Sequence, residues 1–153
     1  MSDAIIERRR IEAELLRQVY EAVRESHGEE TAVDVVDRAV RKAAVAQGAR
    51  FRAELGREPD LKDFKDILRF WTANDALTID VEVAEADQLD FNVTRCRYAE
   101  MYRDMGLGAL GAVLSCNRDD EFCKGYSGRM KLTRTQTIMG GASHCDFRYR
   151  LED

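Results

Sequence analysis

"LTIDVEVAEADQLDFNVTRC", residues 77–96, is where the periodicity of this chain changes. Leu77, Ile79, Val81 and Val83 alternate with Thr78, Asp80, Glu82 and Ala84, and after a short polar break Leu89, Phe91 and Val93 alternate again. A period of two over both runs predicts a β-hairpin with one buried face. On its second strand Asn92, Thr94 and Cys96 are expected to share the opposite face.

Upstream of this hairpin the spacing is helical. Residues 3–27 place Ile5, Ile6, Leu15, Leu16, Val19, Ala22 and Val23 between charges. Thr31, with Asp34 three residues on, predicts a capped second helix through Val35, Val36, Ala39, Val40, Ala43 and Ala44 to Gly56. Pro59-Asp60 predicts the start of a third, with Leu61, Phe64, Ile67, Leu68 and Trp71 on one face. Residues 1–76 therefore read as a helical region whose task is scaffolding. Downstream, Tyr98, Met101, Tyr102 and Met105 return to helical spacing. Gly106-Leu107-Gly108 breaks it, ALGAVLSC resumes it, and NRDDE reads as a polar turn. Two strands, 130–139 and 144–151, joined by Gly140-Gly141, close the chain. Helices first and a small, mainly antiparallel sheet afterwards make the class α+β, in a single domain spanning 1–153 with 77–153 as its mixed region.

The totals agree with a soluble globular protein: 153 residues, 44% hydrophobic, 35% charged, one proline. The net charge of -5 is spread over both halves without a basic stripe, so nucleic acid is not an expected partner. MSDAIIERRRIEAELL lacks a signal-peptide core and no stretch has the length of a membrane span, so a cytoplasmic protein without membrane attachment is expected. Its four cysteines, Cys96, Cys116, Cys123 and Cys145, contain no C-x-x-C pair, which argues against structural zinc.

The chemically dense segment is "RTQTIMGGASHCDF", residues 134–147. On a continuous strand Arg134 and Gln136 would share a face with Leu132 and Ile138. A guanidinium and an amide on an apolar face need hydrogen-bonding partners. A ligand would supply them, or for Arg134 one of Asp119, Asp146 and Glu100. Cys116 closes an apolar helix, and such a cysteine is most often a buried small hydrophobe. If it is a nucleophile, His144 is the natural base, with Asp119 or Asp146 to orient it.

"FNVTRCRYAEMYRDMGLGALGAVLSCNRDDEF" (91–122) and "LTRTQTIMGGASHCDFRY" (132–149) together resemble the L-2-amino-thiazoline-4-carboxylic acid hydrolase family. The resemblance covers roughly residues 89–149 and rests on the joint occurrence of V-T-R-C-x-Y-A-E, L-S-C-x-x-D, R-T-x-T-x-x-x-G and C-D-F. It implies hydrolytic opening of a small heterocycle bearing a carboxylate. For the namesake substrate, water adds at the thiazoline C=N carbon to yield N-carbamoyl-L-cysteine. Within that chemistry Cys116 would attack, His144 would move the proton and Glu100 would protonate a leaving nitrogen. Thr135 or Gln136 would donate to the ring heteroatom, and Arg95 or Arg134 would clamp the carboxylate. Tyr98 and Cys145 complete the expected binding wall.

Two other readings stay open. In one, Cys96, Cys116 and Cys145, with His144, hold zinc and activate water, although no metal or other cofactor is the first expectation. In the other, the pocket binds a small molecule without turning it over. The expected partner is a small heterocyclic substrate, and homo-oligomerisation is left open.

Overall fold

The computed structural model describes residues 4–153. Residues 1–3, the first of the expected helical region, lie outside the described residues, as does residue 3 of its first helix. Helices α1 (Ile5–His27) and α2 (Glu29–Leu55) are separated only by Gly28. Gly28 has a φ of 90°, a conformation that a side chain would strain, and it serves as both the end of one helix and the start of the next. Thr31 therefore lies inside α2 and does not cap it. Glu29 and Glu30 take the first turn, where their charge suits the helix dipole.

The third helix begins as its sequence suggests. The Asp60 carboxylate accepts from the backbone N–H groups of Lys62 and Asp63, and Asp63 accepts from the N–H of Asp60. It forms α3 (Leu61–Ile67), followed after Leu68 by the single turn α4 (Arg69–Thr72). The hairpin follows as β1 (Leu77–Ala84) and β2 (Gln88–Cys96), then α5 (Arg97–Asp104).

Two element assignments in the second half need correction. NRDDE is not a turn: Arg118–Tyr126 is a helix, α6, with Asp119, Asp120 and Glu121 in its first turn. An acidic run is a favourable helix start, and Phe122, Cys123 and Tyr126 give that helix its buried face. The last pair of strands is also shorter, β3 (Met130–Thr133) against β4 (Cys145–Leu151). The Asp146 carboxylate draws residues 134–136 out of the ladder, accepting from the backbone N–H of Thr135 at 2.9 Å, from that of Gln136 at 3.0 Å and from the Thr135 hydroxyl. Backbone bonds from Gly140 and Ala142 to Thr137 then fold the remainder into a turn. Arg134 and Gln136 are thus not partners on a strand face.

The four strands form one antiparallel sheet in the order β1-β2-β4-β3. Phe91 and Phe147 lie opposite each other on β2 and β4 and stack at 4.9 Å between ring centroids. Such a pair contributes about 1 kcal/mol beyond its area. A core of Phe51, Phe64, Phe122, Tyr126 and Tyr149 joins sheet and helices. A second core, with Ile5, Val36, Val40, Tyr102 and Leu114, lies among the helices. Trp71, Leu77 and Cys96 pack against both.

The two halves are locked by a close crossing of α2 and α6. A Cβ on Gly48 would overlap the Phe122 carbonyl, and one on Gly125 would overlap the Val45 carbonyl. Only glycine admits this approach. Among the described residues no helix is long and apolar enough to cross a membrane.

Candidate functional site

Between the two cores lies a largely apolar cavity of about 80 Å³. Water needs roughly 10–15 Å³ by a comparable measure, so this space has room for several waters or one small ring. Phe64, Trp71, Leu77, Phe91, Val93 and Phe147 supply the apolar wall. The polar groups come from both halves: Arg9 of α1, Gln47 of α2, and Cys116, Arg118, Asp119 and Arg134.

Cys96 lines this cavity, although strict alternation puts it on the opposite face of β2. The register runs Ile79↔Val93, then Thr78↔Arg95 and Leu77↔Cys96, leaving Thr94 as an extra residue. That bulge reverses the alternation and turns Cys96 to the same side as Val93.

Cys116 ends a π turn, Ala112–Cys116, closed by the Asn117 N–H on the Ala112 carbonyl at 2.9 Å. Such wide turns are frequent at functional sites. Because α6 starts immediately afterwards, Cys116 is followed by the two cavity residues Arg118 and Asp119, which turn to different partners. Asp119 pairs with Arg134 at 2.6 Å, and Arg134 also donates to the Cys116 carbonyl at 3.3 Å. Of the internal partners open to Arg134 in sequence, Asp119 is therefore the one it takes. Its guanidinium also lies over the Phe147 ring, 5.1 Å from the centroid. Burial holds the Asp119 carboxyl above its usual range against the pull of Arg134. Burial, reinforced by the Asp119 charge, pushes the Cys116 thiol up to about 12. Burial likewise raises Cys96 to about 11 and lifts Cys145. All these thiols are protonated at neutral pH.

Arg118 turns the other way. Its Nε donates to the Leu114 carbonyl at 2.7 Å and its Nη2 to Glu12 at 3.0 Å. Glu12 also accepts from Arg9 at 3.2 Å and from Arg8. Burial, and then the charge of Arg9, lowers Arg118 to about 10. Arg9 Nη2 donates to Gln47 Oε1 at 3.0 Å, which fixes the amide orientation. The Gln47 Nε2 is buried and has no hydrogen-bond partner.

Of the other sequence-predicted residues, Tyr98 and Cys145 line the cavity. The Tyr98 hydroxyl donates to the Trp71 carbonyl at 3.0 Å, and Cys145 Sγ accepts from the Ile138 N–H at 3.2 Å. His144, Thr135, Gln136, Arg95 and Glu100 are not among its lining residues. His144 contacts Ser143 and the Gln136 amide. Arg95 and Glu100 pair with each other on the surface at 3.1 Å, the Arg95 side chain being 61% exposed. Among the described residues no group of three or more His, Cys, Asp or Glu is placed to hold a metal ion. Arg9, Gln47 and Arg118 were not expected from sequence.

Helices packed on an antiparallel sheet thus surround a small, mostly apolar cavity lined from both halves of the chain. The family model of L-2-amino-thiazoline-4-carboxylic acid hydrolase matches residues 8–149, and the chain belongs to that family. The match is far longer than the 89–149 carried by the motifs. A comparison with curated proteins finds no match. Among solved structures, the fold is similar to the phenol-responsive sensory domain of the transcription activator PoxR with phenol. The TM-score is 0.55 at 13% identity, over 91% of this chain and 73% of that one. Trafficking protein particle complex subunit 3 from Naegleria fowleri, covalently bound to palmitic acid, gives a TM-score of 0.47 at 15% identity, over 94% and 96% of the two chains. An H-NOX domain from Shewanella oneidensis gives 0.46 at 12% identity, over 93% and 76%.

Proposed function

We propose that this protein hydrolyses a small carboxylate-bearing heterocycle, a cyclic amide or amidine, with the ring seated against the apolar wall of the cavity. The observation that carries the reading is the Cys116–Asp119–Arg134 group lining the cavity, in a chain of a hydrolase family. A thiol raised to about 12 cannot wait as a thiolate, so its proton leaves as the sulfur–carbon bond forms. Asp119, with a carboxyl raised by burial, is the acceptor beside it. Cys116 Sγ adds to the ring C=N or C=O carbon, and the π electrons move to the ring nitrogen of the C=N or to the carbonyl oxygen of the C=O. Collapse of the tetrahedral carbon breaks a ring bond, the C–S bond in 2-amino-thiazoline-4-carboxylate, and the leaving atom takes the proton held by Asp119. Water then cleaves the acyl- or amidinyl-thioether and restores the thiol. Arg134 keeps Asp119 oriented throughout.

The reaction is taken to be metal-independent on the dispersed spacing of the cysteines, and the setting to be cytoplasmic, where free thiols persist. The test is formation of the ring-opened ureido acid from 2-amino-thiazoline-4-carboxylate by purified protein. Cys116→Ser should lose at least about a hundredfold in rate while keeping its fold. One observation favours a second reading, binding without turnover: every cavity thiol is held protonated. Tight binding with no product across carboxylated thiazolines and five-membered cyclic amides would establish that reading instead.

A further inference from the structure

We propose that Gln47, together with Arg118 and Arg9, forms the subsite that receives the carboxylate of the ring ligand. The inference rests on the reading that the cavity takes small ring ligands, and it assigns recognition of the acid to the helical half of the chain.

Three observations converge on these residues. First, Gln47 is only 3% exposed and lines the cavity, yet its Nε2 has no partner. The amide is not free to turn over, because Oε1 already accepts from Arg9 and a flip would set donor against donor. A buried donor of fixed direction calls for an acceptor from outside the chain. Second, the guanidiniums beside it are as deeply placed, Arg9 at 3% and Arg118 at 7% exposed. They share one carboxylate, Glu12, which Arg8 also engages. Asp119 is next to Arg118 in sequence, but its ion pair is with Arg134. The corner therefore carries more positive than negative charge in a poorly solvated place, and an incoming anion is stabilised there. Third, Gln47 of α2 and Arg118 of α6 come from the two helices that the Gly48 and Gly125 crossing holds together, and Arg9 of α1 is tied to Gln47 by its hydrogen bond. A carboxylate is the acid that fits: it is planar, matches a guanidinium fork, and leaves an oxygen for the amide N–H.

The test measures binding by calorimetry with thiazolidine-4-carboxylate, which has the ring and the acid but no C=N bond to hydrolyse, and with its neutral carboxamide. Wild-type protein should prefer the carboxylate by at least about tenfold, and Gln47→Leu should weaken carboxylate binding by about tenfold, the scale of one charge-assisted hydrogen bond. Gln47→Glu places a permanent carboxylate beside Arg9. It should keep or raise the melting temperature, weaken the carboxylate probe by about a hundredfold and leave the carboxamide within about threefold. Equal wild-type affinity for the two probes, no measurable carboxylate binding, or wild-type binding by both variants would overturn the proposal. Hydrolysis of 2-amino-thiazoline-4-carboxylate is scored separately. Its absence beside the expected affinity pattern supports the subsite and counts against the hydrolase reading alone.

Discussion

The Cys116–Asp119–Arg134 corner and the Arg9–Gln47–Arg118 corner of the cavity use similar groups in opposite balance. In the first, one guanidinium meets one carboxylate at 2.6 Å and a thiol stays neutral beside them. In the second, two guanidiniums of the cavity wall lean on a single carboxylate and an amide donor is left over. A pair that closes on itself has no charge to offer and can only position or move a proton. An open set retains attraction for something that arrives later. On the proposed reading the first corner is the place for chemistry and the second for recognition, and α6 supplies one residue to each.

The largest effect expected at the closed corner concerns thiol reactivity. A thiol at about 12 in place of 9.0 is roughly a thousandfold less ionised near neutral pH. Although its thiolate is the stronger nucleophile, Cys116 should alkylate with iodoacetamide at least about tenfold more slowly than in the unfolded chain. Mass spectrometry of quenched samples reads this directly, and labelling as fast as in denaturant would break the contrast. The same shift fixes a sign: between about pH 9 and 12 the unfolded thiol ionises first, so its contribution to stability is lost as pH rises.

The contact that holds the corners together comes next. Gly125→Ala would force α6 off the Val45 carbonyl of α2, costing about 3 kcal/mol by chemical denaturation, at the upper end for overpacking. A loss below about 0.5 kcal/mol, the range of an ordinary surface change, would show that the crossing does not position the site. Smaller still is the ion-pair comparison. Arg134→Gln leaves Asp119 without its partner in a half-buried place and should cost about 1–2 kcal/mol, discounted for partial exposure. Arg95→Gln, at an exposed pair, should stay within about 0.5 kcal/mol. Equal effects would erase the distinction between cavity and surface arginines.

What was legible in sequence was what repeats. Alternation over 77–96 marked the hairpin, and Pro59-Asp60 marked the start of α3. The motif residues Cys116, Asp119, Arg134, Cys145 and Tyr98 do line one cavity. What escaped depends on contacts between distant residues. Asp146 pulls Thr135 and Gln136 out of the strand, and the extra Thr94 reverses the facing of Cys96. The Arg9–Gln47–Arg118 corner escaped because Arg9 sits between Arg8 and Arg10 in what reads as a solvated charge run. A signal existed, however: Arg9 occupies the same helical stripe as Ile5 and Ala13, and Gln47 that of Val40, Ala44 and Phe51. A polar residue in an apolar register is worth marking even in a region read as scaffold.

The most direct measurement of the central claim is product formation from 2-amino-thiazoline-4-carboxylate by wild-type protein, Cys116→Ser and Asp119→Asn, each checked for folding by circular dichroism. Ring-opened ureido acid from the wild type, with both variants folded and slower by at least about a hundredfold, is the result expected if the thiol attacks and the carboxylate carries its proton. Turnover by folded Asp119→Asn and Cys116→Ser at the wild-type rate would contradict it.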